Sequence, residues 1–157
     1  MFIMKKHTFG FSIIEILIVV AVLGLLAVVG IRVLSNFKNT TNLSTSIENG
    51  VSSLVDARSK TLSSKNGNQH GVHFESGKLT FFVGTTYSAS DPENEEVLLP
   101  SVVEISTISL NGGGSDIIFK KLTGDTDQYG SVTFRIKDQV SQTRTISVPI
   151  TGIPTVQ

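Results

Sequence analysis

KKHTFGFSIIEILIVVAVLGLLAVVGI, residues 5–31, is the stretch on which the fold turns. Lys5, Lys6 and a closing Gly10 precede an apolar run, residues 11–31, whose single ionisable side chain is Glu15. As a helix, a run of roughly 20 residues rises about 30 Å, the hydrocarbon thickness of a bilayer. The lysines lie ahead of the run, so the amino end is expected to stay in the cytoplasm and the remainder to be exported. A secretory signal peptide fits less well, because its apolar region is about 7–15 residues long and ends in a small-x-small cleavage site. Here the run is longer, and Asn36, Lys38, Asn39 and Thr40 follow it with no such site. A plain membrane anchor accounts for the hydropathy and leaves Glu15 unexplained.

A carboxylate at the centre of a bilayer costs about 2.5–3.5 kcal/mol on insertion scales. Glu15 sits near the cytoplasmic end of the run, where it could snorkel to the headgroups at less cost. The alternative is that it awaits a positive partner. A cut after Gly10 would create one, the ammonium of Phe11, four residues or about 6 Å along the helix. In a filament of staggered helices, one subunit's ammonium could meet another's Glu15. Such a pair would set the register, since a buried charge without its partner is costly.

Lys5, Lys6, Gly10, Phe11, Ser12 and Glu15, followed by an apolar helix containing Gly24, resemble the class III leader of type IV pilins and type II secretion pseudopilins. The resemblance implies cleavage between Gly10 and Phe11 by a prepilin peptidase and methylation of the Phe11 amino group. It further implies a register role for Glu15 and a helix-packing role for Gly24. The partners it implies are other pilin or pseudopilin subunits, an assembly platform protein with its ATPase, and the bacterial inner membrane. One departure is that many major pilins carry a proline after the span, whereas this chain has Arg32 and no proline before Pro92. Gly24 and Gly30 remain the weak points of the helix.

Beyond Arg32 the pattern becomes amphipathic. Leu43, Ile47, Val51, Leu54, Arg58 and Leu62 recur at helical spacing, with Val55 beside them, and Gly50 interrupts the propensity. One long helix to about residue 64 is predicted, stopped by KNGNQHG. After Gly71 the period changes to short β runs: GVHFE, KLTFFVG, VVEISTISL, DIIFKKL, SVTFRIKD and TRTISVPI. Val132, Phe134 and Ile136 alternate with polar neighbours, as do Ile146, Val148 and Ile150, which describes a sheet with one wet face. The expected fold is α+β: a long amino-terminal helix, half transmembrane and half amphipathic, packed on a carboxyl-terminal antiparallel β head. The expected divisions are a leader (1–10), a transmembrane helix (11–31), its amphipathic continuation (32–64) and the head (65–157). Ala57-Arg58, DIIFKKLTG, SVTFRI, RTISV and Thr151-Gly152 together look like minor pilins and pseudopilins of the GspH/FimT type.

Composition excludes several chemistries. The chain of 157 residues has no cysteine, so it has no disulfide, thiolate metal site or cysteine nucleophile. Lysines plus arginines and aspartates plus glutamates number 13 each, and loss of Lys5 and Lys6 would leave a slight acidic excess. Some GspH/FimT-type relatives bind DNA through a basic tail, but no basic residue follows Arg144, so nucleic acid is not an expected partner. His70, His73 and Glu75 form the one arrangement suggestive of a metal cluster, without an evident further ligand. Asp125 and Asp127 in GDTDQYG are calcium candidates, although the spacing is not that of an EF-hand. Asp91, Glu93, Glu95 and Glu96 read as a solvated acidic loop, and Ser115 after three glycines has no nucleophile-elbow pattern. No catalytic constellation and no cofactor is expected.

The function these readings support is a structural subunit, of the minor kind, in a pilus or secretion pseudopilus. Its location would be the inner membrane first, with the head outside, and then the filament. Two alternatives stand beside it: a membrane-tethered extracytoplasmic binding protein or enzyme, and a DNA-uptake minor pilin.

Overall fold

The computed structural model describes residues 10–63 and 67–157, and no side chain between 28 and 33. Lys5 and Lys6, with the expected leader up to residue 9, lie outside the described residues. Helix α1 (Ile13–Leu62) is 50 residues long. The chain divides into two compact units, residues 1–37 and 38–157.

In the first unit, the Ser12 carbonyl starts α1 by accepting from the Glu15 N–H at 3.1 Å and the Ile16 N–H at 3.2 Å. Side chains on every side of the following turns are apolar and exposed. Among the described residues no helix is long and apolar enough to cross a membrane. Residues 28–31, the last part of the expected span, contribute no described side chain.

In the second unit, the remainder of α1 packs on eight strands. These are β1 (His70–Glu75), β2 (Lys78–Val83), β3 (Glu95–Leu98), β4 (Val103–Leu110), β5 (Asp116–Ile118), β6 (Gly130–Ile136), β7 (Gln139–Val148) and β8 (Thr155–Val156). They form two four-stranded sheets, β3-β2-β1-β5 and β4-β6-β7-β8, with antiparallel pairing throughout. The alternation expected in β6 is present, with Val132, Phe134 and Ile136 buried and their neighbours half-exposed. In β7 it holds for Ile146 and Val148, while Ile150 lies beyond the strand and is exposed. Two tight turns, at Ser76-Gly77 and Lys137-Asp138, close the β1–β2 and β6–β7 hairpins. Of the three crossovers between the sheets, that from β4 to β5 runs through Gly112, Gly113 and Gly114, all with φ between 75° and 81°. A side chain there would be strained, which explains the triple glycine.

Leu43, Ile47, Leu54 and Ala57 of α1 enter one core with Val72, Phe74, Leu79 and Phe81 of the first sheet and Val132, Phe134, Ile146 and Val148 of the second. The helix stripe is therefore rotated from the expected one. Ser46, Gly50, Ala57 and Thr61 lie on the buried side, while Arg58 and Leu62 are half-exposed and Val55 is exposed. Gly50, which reads in the sequence as a weakness, is a point of closest approach. A Cβ there would lie 2.8 Å from Ile146 Cδ1 and 3.4 Å from Phe134 Cζ. Small and polar residues fit the buried stripe because their hydroxyls bond the helix itself: Ser46 Oγ donates to Asn42 O, and Thr61 Oγ1 to Ala57 O, each at 2.8 Å.

Candidate assembly site

Among residues 10–27, Gly10, Phe11, Glu15 and Gly24 are each open, with Glu15 and Gly24 on opposite faces of the helix. Phe11 is 79% exposed, Glu15 is exposed, and nothing lies within 4 Å of a Cβ built on Gly10 or Gly24. Gly24 thus leaves a notch in an otherwise bulky helix, where another helix could approach closely. Ser12 precedes the first helical residue and Glu15 is the third within, the S-x-x-E spacing of a capping box, although the bond between them runs from the Glu15 N–H to the Ser12 carbonyl. A carboxylate in the first turn also complements the helix dipole, worth about 0.3–1 kcal/mol where exposed.

The magnitudes show that this helix needs a cover. Eleven large apolar side chains between Ile13 and Leu26 are each 48–82% exposed. Burying one is worth about 1.5–3 kcal/mol. Together they outweigh the roughly 5–15 kcal/mol that holds a typical domain folded. A helix apolar all round is covered by lipid or by other helices.

In the head, the histidines do not converge. His70 and His73 lie on opposite faces of β1, as an odd spacing in a strand dictates. His70 is buried against Phe81, with ring centroids 5.5 Å apart, and its N–H donates to Thr61 Oγ1 at 2.9 Å. His73 is on the outer face, where Nδ1 meets Asp116 and Nε2 meets Glu75 at 3.5 Å. Its two nitrogens point away from each other, so those carboxylates cannot share one ion with it. Tyr87 stacks on the His73 ring at 3.9 Å and takes the edge of Phe82, so one part of the outer face is aromatic and covered. Beside it Lys78 bonds Glu96 and lies 3.6 Å from Glu75. The Glu96 hydrogen bond, with the charge of Glu75 next to it, holds the Lys78 pKa above its usual 10.5.

The calcium candidates separate too. Asp127 Oδ1 accepts from Lys120 Nζ at 2.6 Å, so a lysine supplies the positive charge. The Asp125 carbonyl accepts from the Lys120 N–H, and its own N–H bonds Thr123 Oγ1. Among the described residues no three histidine, aspartate or glutamate side chains form a metal-binding group. The acidic loop is partly a strand: Glu95 and Glu96 belong to β3, opposite Phe81 and Thr80. Glu95 also approaches Lys60 at 3.7 Å, and Lys60 lies 4.0 Å over the Phe81 ring.

Around the carboxyl end of α1, two glycines with φ near 70° fix the chain. Arg58 Nε donates to Gly124 O at 3.1 Å, and a Cβ on Gly152 would stand 2.1 Å from that same carbonyl. Ala57-Arg58, the 116–124 run and Thr151-Gly152, widely spaced in sequence, therefore meet at one corner.

No protein-family model and no curated protein matches the chain. Two solved structures do. The minor pseudopilin EpsH from the type 2 secretion system of Vibrio cholerae superposes with a TM-score of 0.56 at 12% identity, covering 74% of this chain and 96% of EpsH. The type IV minor pilin FimU of Pseudomonas aeruginosa gives a TM-score of 0.54 at 16% identity, covering 73% of this chain and 92% of FimU. With its amino-terminal helix packed on antiparallel sheets, this chain has the fold of a type IV minor pilin or pseudopilin.

Proposed function

We propose that the chain is a non-catalytic minor subunit of a type IV pilus or type II secretion pseudopilus. The observation that carries this reading is the exposed helix of residues 13–27, apolar but for Glu15, on a chain with the pilin-like fold. The precursor enters the inner membrane with Lys5 and Lys6 on the cytoplasmic side. A prepilin peptidase cuts between Gly10 and Phe11 and methylates the new amino terminus. Until assembly the helix is covered by lipid, with the head outside. A platform protein and its ATPase then move it into the filament, where lipid contacts are exchanged for neighbouring helices. The Phe11 ammonium of one subunit pairs with Glu15 of another, which removes two charges from a dry core and fixes register.

The test is incorporation. Glu15→Val is expected to be cleaved normally, since the Gly10–Phe11 junction is intact, yet to be depleted from sheared filaments. Normal incorporation of Glu15→Val would refute the pairing.

A further inference from the structure

The corner at the carboxyl end of α1 carries a groove of about 330 Å³ lined by Val55, Arg58, Ser59, Leu62, Ile153 and Pro154. Val55, Ser59 and Leu62 are four and three residues apart, one stripe on the outer side of the helix. Such a stripe is the surface into which the ridges of a second helix pack. Its apolar members are not hidden by the head: Val55 is 47% exposed and Ile153 53%. Leu122, close by through Gly124, is 86% exposed and held at φ 72°, a costly conformation for a leucine. Arg58 is the one cation of the groove. Among the described residues no carboxylate pairs with it, and its Nε bonds a carbonyl.

This demand has a complement in the same chain. Residues 13–27 form a helical surface that is otherwise apolar and carries a single charged side chain, the carboxylate of Glu15. We propose that the groove receives this helix from a second copy of the chain, parallel to α1, with Glu15 meeting Arg58. In that register Phe11 lies near Val55, and Ile18 and Val19 lie near Leu62, because residues four apart on each helix advance together. Ile153 and Pro154 form the other wall. The Glu15 carboxylate has two oxygens, so it can accept from the guanidinium and from a Phe11 ammonium at once. The proposal rests on the subunit reading above and adds to it a place on the head where a neighbour's helix is held.

The chain has no cysteine, which makes a direct test possible. Val19→Cys and Leu62→Cys are placed together in one full-length chain and expressed with an assembly machinery. A second chain carries Val19→Cys with Ser109→Cys, an exposed position of β4. Sheared filaments are oxidised mildly and run without reductant. The first chain is expected to give a ladder of linked copies at least about fivefold above the second, as held proximity requires. Arg58→Glu in the first chain should weaken that ladder. Filaments with no ladder, or with equal ladders from both chains, overturn the docking and leave the subunit reading intact. A ladder unchanged by Arg58→Glu overturns the Glu15–Arg58 contact. Absence of the cysteine-free parent from every filament overturns both readings.

Discussion

Gly50 offers the sharpest test of how the helix meets the head. In an exposed helix, Gly→Ala gains about 1 kcal/mol from propensity alone. At position 50 the new Cβ would stand 2.8 Å from Ile146 Cδ1 and 3.4 Å from Phe134 Cζ. Both neighbours are fully buried, so their displacement is resisted by the surrounding core. Overpacking of this kind costs about 1–3 kcal/mol. The two effects oppose each other, and Gly50→Ala is expected to lower stability by about 1 kcal/mol, roughly 4 °C in Tm. Ile146→Val removes the atom in the way and by itself costs about 0.5–1.5 kcal/mol. Combined with Gly50→Ala it should cost less than the sum, with a favourable coupling of about 1 kcal/mol. The assay is denaturant unfolding of the full chain in mild detergent, followed by circular dichroism, for the parent, both single variants and the double. Stabilisation by Gly50→Ala, or strict additivity in the double variant, would refute the close approach.

Two other perturbations report on the remainder of the head. Gly152→Ala combines a φ of 72° with a Cβ 2.1 Å from the Gly124 carbonyl, so it should destabilise by about 3 kcal/mol or more. The open Gly67, at φ 68°, should lose only about 1 kcal/mol on the same change. Equal losses would remove the packing argument at Gly152. The raised Lys78 pKa predicts an alkaline limb in stability, because the Glu96 bond favours the protonated amine in the folded chain. That contribution is fully present below the ordinary lysine value of 10.5 and is lost as pH rises through the higher folded value. Lys78→Gln should flatten unfolding midpoints measured above pH 10, and an unchanged slope would contradict the pairing.

The fold was legible where a period ran long enough to outvote local exceptions. Phe74, Phe81, Phe82 and Phe134, in strands, and Phe119, just beyond β5, are all buried. Phe82 nevertheless lies outside the main core, since β2 is covered on both faces, by α1 within and by Tyr87 without. Strand β3 has no legible pattern, because Glu95-Glu96-Val97-Leu98 is acidic and mostly exposed and becomes a strand by pairing to β2. Strand β8 is two residues long and has no pattern to find. DIIFKKL promises seven residues of strand and gives three, since its partner β1 begins at His70 and the Lys120 N–H donates to Asp125 O instead. That the strands would divide into two sheets is a property of long-range pairing, which alternation does not encode.

At the candidate site the residue types were legible and one local reason was not. Gly10, Phe11 and Glu15 stand out by chemistry, whereas the Ser12–Glu15 spacing marks a helix start that hydropathy alone does not show. Arg58 was placed on the apolar stripe by period, whereas the structure shows its guanidinium at Gly124, 66 residues further on. No sequence period connects those positions; only the glycine geometry at 124 and 152 brings them together.

Intact mass spectrometry reads the proposed cut between Gly10 and Phe11 without any intermediate step. The chain is expressed with a prepilin peptidase, recovered from the membrane and weighed whole. The expected mass is that of residues 11–157 plus one methyl group. A full-length, unmodified chain beside a control prepilin that has been cut would contradict it.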